Sequence, residues 1–362
     1  MSLSLFKKKS FLGLDIGHHA IKGAQVEKTG SGWKVVKAFN ITTPPDAVKE
    51  GIIIDPDPVG AAIKAGMKQA HIHADSAVVG VAGGSVIVRN VRIPKMNETT
   101  LRKSIRYEAG RYVPSSIEDS FIEFDIVEQD VDGQMDVLIV ASPKDMVNSR
   151  VAACKAAGLD VEIVDVEAFA NYRAVVEVEE NNVLKELTVA MVDIGAMTTS
   201  VSVVSKGQFA MCRTIPQAGQ VLTEALKTYF KLTDADAESG KTQLDLSVLL
   251  ADAKVVENPP LRIVQPHIDD LIREIRRSLN YYQSQQTEQG QPNPVTHLLV
   301  SGGGAKFVGL GEYMANKLGM QVVAGGIFDN PRVTNGLLDD TERGFDLVVA
   351  SGLAMRAFAK AV

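Results

Sequence analysis

The sequence predicts an α/β protein built from two related lobes and one inserted unit. Two observations support this prediction. A motif of apolar strand, Asp-Ile-Gly, polar turn and second apolar strand occurs twice, and the 30 glycines among the 362 residues cluster beside short apolar runs. Glycine-rich loops that follow buried strands are typical of α/β proteins that bind phosphate groups.

Composition and charge exclude several other classes of protein. The 38 Lys and Arg residues against 44 Asp and Glu give a net charge of −6, so no global basic field favours nucleic acid. Two cysteines cannot form a disulfide framework, which favours a reduced cytoplasm. No run approaches the roughly 18 apolar residues that a membrane-spanning helix needs, so we expect no direct membrane insertion.

The repeated motif is FLGLDIGHHAIKGAQV at 11–26 and VAMVDIGAMTTSVSVV at 189–204. Each copy predicts two strands joined by a tight turn, and an apolar third strand follows at 33–39 and at 208–215. The same three-stranded meander is therefore predicted twice, which indicates that the chain consists of two duplicated halves.

The rest of the chain alternates between helical and strand patterns. Helices are predicted over 57–69, 98–112, 144–157, 168–178, 222–230, 235–240, 261–284, 310–318 and 348–359, and strands over 76–81, 85–93, 160–166 and 297–300. The segment 84–160 predicts a small α+β insert whose hairpin turns at Asp132-Gly133. The Gln-, Pro- and Gly-rich stretch 285–296 predicts a loop that connects the lobes.

Both Asp-Ile-Gly loops suit a phosphate chain. Gly17 and Gly195 allow close backbone approach, and the N–H groups that follow can cradle phosphate. The carboxylates of Asp15 and Asp193 can hold a hydrated Mg²⁺ ion that bridges phosphates. A turn that merely closes a strand explains one copy well, but two equivalent copies favour a ligand site. Glu167 can either orient a water for attack on a γ-phosphate or favour a helix N-terminus.

Two further segments are candidates for the same site. Gly302, Gly303 and Gly304 follow a strand and precede a helix, so a flat ring or a phosphate can lie against their backbone; a flexible turn is the alternative. Glu238 and Lys241 lie three residues apart on one helix face, where they can grip a ribose and a ring or phosphate. A surface ion pair is the simpler interpretation of that pair.

The order of these motifs resembles that of the actin, heat-shock chaperone and sugar kinase superfamily. The two repeats are similar to its phosphate motifs, HLLVSGGGAKFVGLGEYMANKLG to its adenosine motif, and VDVEAFANYRAV and LVVASGLAMRAF to its connector helices. Within the superfamily, GLDIGHHAIKGAQVEK and GLDVEIVDVEAFANYRA resemble the PilM family of type IV pilus assembly proteins, relatives of FtsA. This resemblance covers nearly the whole chain.

The resemblance implies an actin-like, ribonuclease H-like duplicated two-lobe fold with an FtsA/PilM-type 1C insert of SHS2-like α+β structure. It implies subdomain 1A at 1–83, 161–187 and the C-terminal helix 346–362, subdomain 1C at 84–160, subdomain 2A at 188–216 and 293–345, and subdomain 2B at 217–292.

The resemblance also implies a site for ATP or ADP with Mg²⁺, at most slow ATPase activity, and Glu167 as the catalytic candidate. Its nucleotide-binding residues are Asp15, Gly17, His18 and Lys22 in the first loop, Asp193, Gly195, Thr198 and Thr199 in the second, Glu238 and Lys241 at the ribose and ring, and Gly302, Gly303 and Gly304 at the adenosine. Asp15 and Asp193 are expected to hold Mg²⁺ through its water shell.

The implied role is that of a cytoplasmic scaffold. A groove between subdomains 1A and 1C would hold the N-terminal cytoplasmic peptide of PilN, so that the PilN/PilO inner-membrane complex keeps the protein at the membrane. A homo-oligomer is a further expectation. His18 and His19 stand where the family's first loop has Ser or Thr, and this loss of a hydroxyl contact affects hydrolysis more than binding.

Two alternatives belong to other classes, an FtsA-like filament-forming protein of cell division and a small-molecule kinase of the same superfamily. FtsA continues past its last connector helix to an amphipathic membrane helix, whereas this sequence ends at Val362 directly after such a helix. A kinase needs a pocket for its acceptor, and no segment predicts one. Both considerations favour the PilM family.

Overall fold

The computed structural model describes residues 10–112, 116–129, 133–178, 183–250, 258–288, 293–337 and 343–359. The strands are β1 Phe11–Ile16, β2 Ala20–Thr29, β3 Gly32–Thr42, β4 Val48–Lys49, β5 Ile52–Ile53, β6 Ser76–Val81, β7 Ile87–Pro94, β8 Ser120–Gln129, β9 Gln134–Pro143, β10 Asp160–Val166, β11 Thr188–Ile194, β12 Thr199–Ser205, β13 Gln208–Ile215, β14 His297–Ser301, β15 Gln321–Ala324 and β16 Val333–Asn335. The helices are α1 Pro56–Gln69, α2 Glu98–Ala109, α3 Lys144–Ala157, α4 Glu167–Tyr172, α5 Gly219–Phe230, α6 Asp234–Thr242, α7 Pro259–Glu288, α8 Leu310–Leu318 and α9 Val348–Arg356.

The first lobe is organised by a six-stranded sheet in the order β10-β6-β1-β2-β3-β16. β1 lies inside this sheet, antiparallel to β2 and parallel to β6. Helices α1 and α3 share a core with the sheet, and α9 packs directly on β1 at Gly13, where a Cβ atom would lie 2.0 Å from the Ala350 carbonyl oxygen. Because helices cover both faces, β1 is a continuous apolar run rather than an alternating one.

The second lobe repeats this plan in a five-stranded sheet of order β13-β12-β11-β14-β15. Its β11-β12-β13 meander matches β1-β2-β3, and the parallel strand β14 takes the place of β6. Helices α5, α6, α7 and α8 share one apolar core with this sheet. The predicted duplication of the meander is therefore confirmed by strand pairing.

The insert forms a separate small sheet of order β7-β9-β8. Its core joins Leu101, Ile105 and Ala109 of α2 to Met135 and Val137 of β9. The three α2 residues are spaced by four, so they share one face of the helix and bury it against the sheet. The predicted turn at Asp132-Gly133 lies partly outside the described residues, since Asp132 is not among them.

Several segments differ from expectation. Helix α3, predicted within the insert at 84–160, packs instead with α1 in the core of the first lobe, and α9 ends at Arg356 rather than 359. Helix α7 extends to Glu288, and its apolar residues pack with Val295 and with Leu298 of β14 in one core of the second lobe, so the predicted lobe connection at 285–296 is wrong. Helix α2 ends at Ala109 rather than Tyr112, because Gly110 caps it. Strand β16 lies within the range expected for the second lobe, yet it pairs with β3 in the first sheet.

The lobes are joined where α4 crosses α9. A Cβ atom at Gly352 would lie 1.9 Å from the Ala170 carbonyl oxygen, so the two helices meet backbone to backbone. Helix α4 continues into a π-helical turn at Arg173–Glu177, and the Arg173 guanidinium donates 2.9 Å hydrogen bonds to Asp165 and to the Gly352 carbonyl. In the described part of the chain, none of the helices combines the length and apolar content that a bilayer crossing requires.

Candidate functional site

A cavity of about 900 Å³ lies between the two lobes. The ends of central strands from both sheets and the loops that follow them form its walls, together with α6. Twelve of the predicted residues line it: Asp15, Gly17, His18, Lys22, Glu167, Asp193, Gly195, Thr198, Glu238, Lys241, Gly303 and Gly304. Thr199 and Gly302 are not among the lining residues.

The two Asp-Ile-Gly loops enter the cavity with the same backbone geometry. The Gly17 N–H donates to the Ala20 carbonyl at 3.1 Å, and the Gly195 N–H donates to the Thr198 carbonyl at 3.1 Å. Each loop is thus a tight turn between antiparallel strands, and its aspartate is the second-last residue of the strand before the turn. Exposed N–H groups in such turns can bind an anion.

In the first loop, Asp15 is paired with Lys22 on the neighbouring strand. The two residues are partners in the β1–β2 register, and their Nζ and Oδ2 atoms lie 3.0 Å apart. Burial lowers the pKa of Lys22, but attraction to Asp15 and other carboxylates outweighs it and the pKa is raised. Lys22 therefore stays charged and offsets the Asp15 carboxylate deep in the cleft.

In the second loop, Asp193 is held by hydrogen bonds instead of a cation. Its Oδ2 accepts from the Ser301 hydroxyl at 3.0 Å and from the Asn171 amide at 3.2 Å, and that amide also donates to Ser301 at 2.6 Å. Burial and repulsion by Asp15 raise the pKa of Asp193 to about 6. Sequence patterns did not predict Asn171 or Ser301, although Asn171 lies in the connector motif.

Glu167 is the first residue of α4 and also lines the cleft, so its position is consistent with either predicted role. Burial, followed by repulsion from Asp15 and Asp193, raises its pKa to about 8. Arg150 and Lys22 oppose this shift but do not cancel it. At neutral pH the Glu167 carboxyl is mostly protonated, and it can donate a hydrogen bond in the cleft.

The three glycines of the run 302–304 differ in what they do: Gly302 allows close backbone packing, and Gly303 and Gly304 border the cavity. Gly302 has φ +85°, and a Cβ atom there would lie 2.6 Å from the Ile194 carbonyl oxygen, so it lets the loop pack behind the second Asp-Ile-Gly turn. A Cβ atom at Gly303 would meet nothing within 4 Å, so this residue borders open space. Gly304 lies against Ile194 and also lines the cavity. A flat group can therefore lie against Gly303 and Gly304, in front of Gly302.

Glu238 and Lys241 form an ion pair inside the cleft. Lys241 is 8% exposed, its Nζ lies 2.6 Å from Glu238 Oε2, and the Thr223 hydroxyl donates to the same oxygen at 2.8 Å. Burial alone would raise the pKa of Glu238, but the hydrogen bonds from Lys241 and Thr223 hold it below its usual value. The simpler interpretation as a solvated surface pair is wrong.

The second loop presents one hydroxyl to the cavity rather than two. Thr198 lines the cleft, whereas Thr199 is fully buried and its hydroxyl donates to the Gln217 carbonyl at 2.8 Å. Thr198 lies in the turn before β12, whereas Thr199 begins that strand with its side chain in the interior. The predicted contact of Thr199 with a phosphate is corrected accordingly.

Two cleft features have no counterpart among the predicted residues. Asp346, just before α9, accepts from Lys306 at 2.8 Å and from Asn40 at 2.7 Å, so it links the glycine loop of the second lobe to β3 of the first. Lys306 follows the glycine run by two residues, and this position in the sequence could have identified it as a site residue. Arg150 of α3 is 2% exposed and lines the cavity. An arginine within an amphipathic helix gives no signal of this kind.

The cleft chemistry fits a nucleotide with a hydrated divalent cation. Asn171 Oδ1 is buried without a hydrogen-bond partner, and the space before Gly303 is open. Among the described residues, no cluster of three or more His, Cys, Asp or Glu could hold a metal ion unaided. Mg²⁺ usually keeps several waters and binds through one or two carboxylates and the phosphates of its ligand. Asp15 and Asp193 can supply the carboxylates.

Two related lobes around a cleft with paired Asp-Ile-Gly loops define the actin-like class of proteins. The fold is a mixed α/β, actin-like two-lobe fold: it superposes on a solved PilM–PilN type IV pilus biogenesis complex with a TM-score of 0.81, at 24% identity and covering 96% of this chain and 98% of that one. It also matches MreB 5 of Spiroplasma citri bound to AMPPNP, with a TM-score of 0.54, 12% identity and coverage of 98% and 97%.

Sequence comparison identifies the family. The model for "Type IV pilus assembly protein PilM" matches residues 13–358, and the chain belongs to that family. Cell division protein FtsA of Bacillus subtilis (strain 168) is 22% identical over 259 residues, which is 65% of this chain and 58% of the relative. This match therefore spans somewhat more than half of that relative's length.

Proposed function

We propose that the cleft binds ATP or ADP together with Mg²⁺. The observation that supports this best is the pair of equivalent Asp-Ile-Gly turns that open onto one cavity beside Gly303 and Gly304. Backbone N–H groups from two sides suit a chain of phosphates, and the open glycine surface suits a flat base. An MreB structure with this fold was solved with AMPPNP.

Eleven of the predicted residues that line the cavity share the ligand in this proposal. The Mg²⁺ water shell would be held by Asp15 and Asp193. The phosphates would lie between the two turns, in contact with Gly17, His18, Lys22, Gly195 and Thr198. The ribose and ring would contact Glu238 and Lys241, and the adenine would lie against Gly303 and Gly304. The cation supplies charge neutralisation of the phosphates when bound.

We propose at most slow ATPase activity. Glu167 is the candidate for orienting a water, but its pKa of about 8 leaves it protonated at neutral pH, where it cannot accept a proton. In the first loop, His18 lines the cleft in place of a hydroxyl residue, and burial and the nearby Arg150 charge lower its pKa, so it stays neutral. Both features support binding of the nucleotide over rapid turnover.

The nucleotide proposal is tested with the double variant Asp15→Ala, Asp193→Ala. Titration with a fluorescent ATP analogue and Mg²⁺ should show at least about a tenfold loss of affinity, because each carboxylate supports the cation that bridges the phosphates. Asp160→Ala, an exposed acidic residue at the start of β10, is the matched control and should bind as the wild type does. A folded double variant with unchanged affinity for ATP would refute the proposal.

We further propose that the insert is the 1C subdomain of this family and that the chain is a scaffold. In this role, a groove between the insert and the first lobe holds the N-terminal cytoplasmic peptide of PilN. Support comes from family membership and from the shared fold of the PilM–PilN complex. The protein would then be cytoplasmic and peripheral to the inner membrane through PilN and PilO.

The junction of insert and first lobe carries a suitable apolar side chain. Phe121 lies on β8, an edge strand of the insert sheet, and is 46% exposed. The ammonium group of Lys144 lies 6.0 Å from its ring, and Lys144 begins the helix α3 that packs into the first lobe. Edge strands and exposed aromatics are the usual means by which a sheet captures an extended peptide.

A synthetic peptide from the N-terminus of the PilN of the same organism tests this part. Fluorescence anisotropy should show saturable binding, with and without ATP, and none for a scrambled peptide. Phe121→Ser should weaken binding, whereas Tyr229→Ser, an exposed aromatic of α5 in the second lobe, should not. Absence of binding to the wild-type chain in both nucleotide states would remove the scaffold proposal.

A further inference from the structure

Arg150 is a buried cation in the wall of the cleft. It is 2% exposed although it lies on α3, whose other buried side chains face the apolar core. Its Nε donates to the Gly80 carbonyl at 2.6 Å, and its Nη1 donates to the carbonyls of Met146, at 3.2 Å, and Gly51. These bonds fix the guanidinium plane at the edge of the cavity.

The positive charge of Arg150 has no carboxylate of its own. In the portion of the chain covered by the structure, no ion pair involves Arg150 and no acceptor is bonded to its Nη2. The acids near enough to interact electrostatically are Glu167 and Asp15. Asp15 is already paired with Lys22, and the hydrogen bonds of Arg150 in the described part of the chain all go to backbone carbonyls rather than to either carboxyl group. A buried charge without a partner is costly, so this site favours an anion.

The location of Arg150 in the cleft indicates which anion. Gly303 and Gly304 belong to the second lobe, where Gly304 packs against Ile194 of the second Asp-Ile-Gly loop. Arg150 belongs to the opposite wall: it is bonded to the Gly80 and Gly51 carbonyls of the first lobe, and its charge acts on His18 of the first turn. A chain of phosphates that starts at the glycine run and passes between the turns brings its last phosphate nearest to Arg150.

We propose that Arg150 binds the terminal phosphate of a nucleoside triphosphate and so makes the cleft prefer a triphosphate to a diphosphate. This inference rests on the proposed nucleotide site. The two N–H groups of Nη2 remain as donors for phosphate oxygens, and charge-assisted hydrogen bonds of this kind are among the strongest in proteins. Because Nε and Nη1 are already bonded to backbone carbonyls, the position of Nη2 is fixed before the ligand arrives.

The test compares the affinities of two nucleotides rather than turnover. Isothermal titration with Mg²⁺ is run with ADP and with a non-hydrolysable ATP analogue, on the wild type, Arg150→Met and Arg150→Lys. Arg213→Met, an arginine outside the lining of the cleft, is the control. We expect wild type and control to prefer the triphosphate, Arg150→Met to lose about tenfold of triphosphate affinity, and its ADP affinity to stay within about twofold.

Arg150→Lys keeps a positive charge but lacks the Nη2 donors that the backbone contacts hold in place, so its triphosphate preference should fall between the other two. This variant decides the question if Arg150→Met does not fold. A wild type that binds both nucleotides equally well, or a folded Arg150 variant with an unchanged ratio of affinities, overturns the inference. A wild type that binds neither nucleotide instead overturns the proposed nucleotide site.

Discussion

Glu167 offers a direct test of the cleft electrostatics through the pH dependence of stability. Burial and the neighbouring carboxylates raise its pKa from an ordinary 4.5 to about 8. Between these pH values, the folded protein retains a proton that the unfolded chain releases, so the free energy of unfolding falls as the pH rises. Glu167→Gln removes the titrating group and keeps the shape of the side chain.

The size of the effect follows from the shift in pKa. One unit corresponds to about 1.4 kcal/mol, so at pH 7 the cost of keeping Glu167 protonated reaches about 3 kcal/mol. The carboxyl borders the open cleft, and solvent there reduces the cost, so we expect Glu167→Gln to stabilise the ligand-free protein by about 2 kcal/mol at pH 7. Near pH 5 the two proteins should differ little.

Urea denaturation of the wild type and Glu167→Gln at pH 5, 6, 7 and 8, without nucleotide or Mg²⁺, measures this difference. Glu312→Gln, an exposed glutamate of α8, is the control and should follow the wild type at every pH. A gap between Glu167→Gln and wild type that stays constant from pH 5 to pH 8 would contradict the reasoning, because only a titrating carboxyl makes it grow.

Three other substitutions, with Gly303→Ala as a control for the first, test separate contacts by thermal or urea unfolding. Gly302→Ala should cost about 2 kcal/mol or more, because its φ is +85° and a Cβ would meet backbone at 2.6 Å, whereas Gly303→Ala should leave stability nearly unchanged. Lys22→Met should cost about 3 kcal/mol, since it leaves the Asp15 carboxylate buried without its cation. Thr199→Val should cost about 1 kcal/mol through a lost hydrogen bond, and equal stability would show that this bond contributes nothing.

Elements with a clear local pattern were predicted closely. The observed bounds of β6, α3, β10 and α8 equal the predicted ones, since hydrophobic period and flanking glycines mark these elements locally. The end of α7 was misjudged because Gln and Glu are good helix formers in a polar stretch that resembles a loop. β16 is three residues long, and pairing with β3 alone makes it a strand.

In the candidate site, too, the features built from neighbouring residues are predicted from the sequence, and those that depend on packing are not. The Asp-Ile-Gly turns are built by neighbouring residues, so the sequence alone located Asp15 and Asp193. Thr198 and Thr199 are adjacent hydroxyl residues at the junction of a turn and β12, and only the packing of the sheet decides which of them faces the cleft. The ion pair of Glu238 and Lys241 is present in either interpretation, and only the position of α6 against the cleft decides between them.

By itself, the sequence determined the repeated meander, the two loops and the family resemblance, because short-range hydrogen bonding and hydrophobic period are written in adjacent residues. Only the tertiary structure decided that Asn171 and Ser301, from different lobes of the chain, lie 2.6 Å apart behind Asp193. It also decided that Arg150, on a helix beside the insert, is buried at the cleft. Contacts between distant segments depend on how whole elements pack, which no local pattern records.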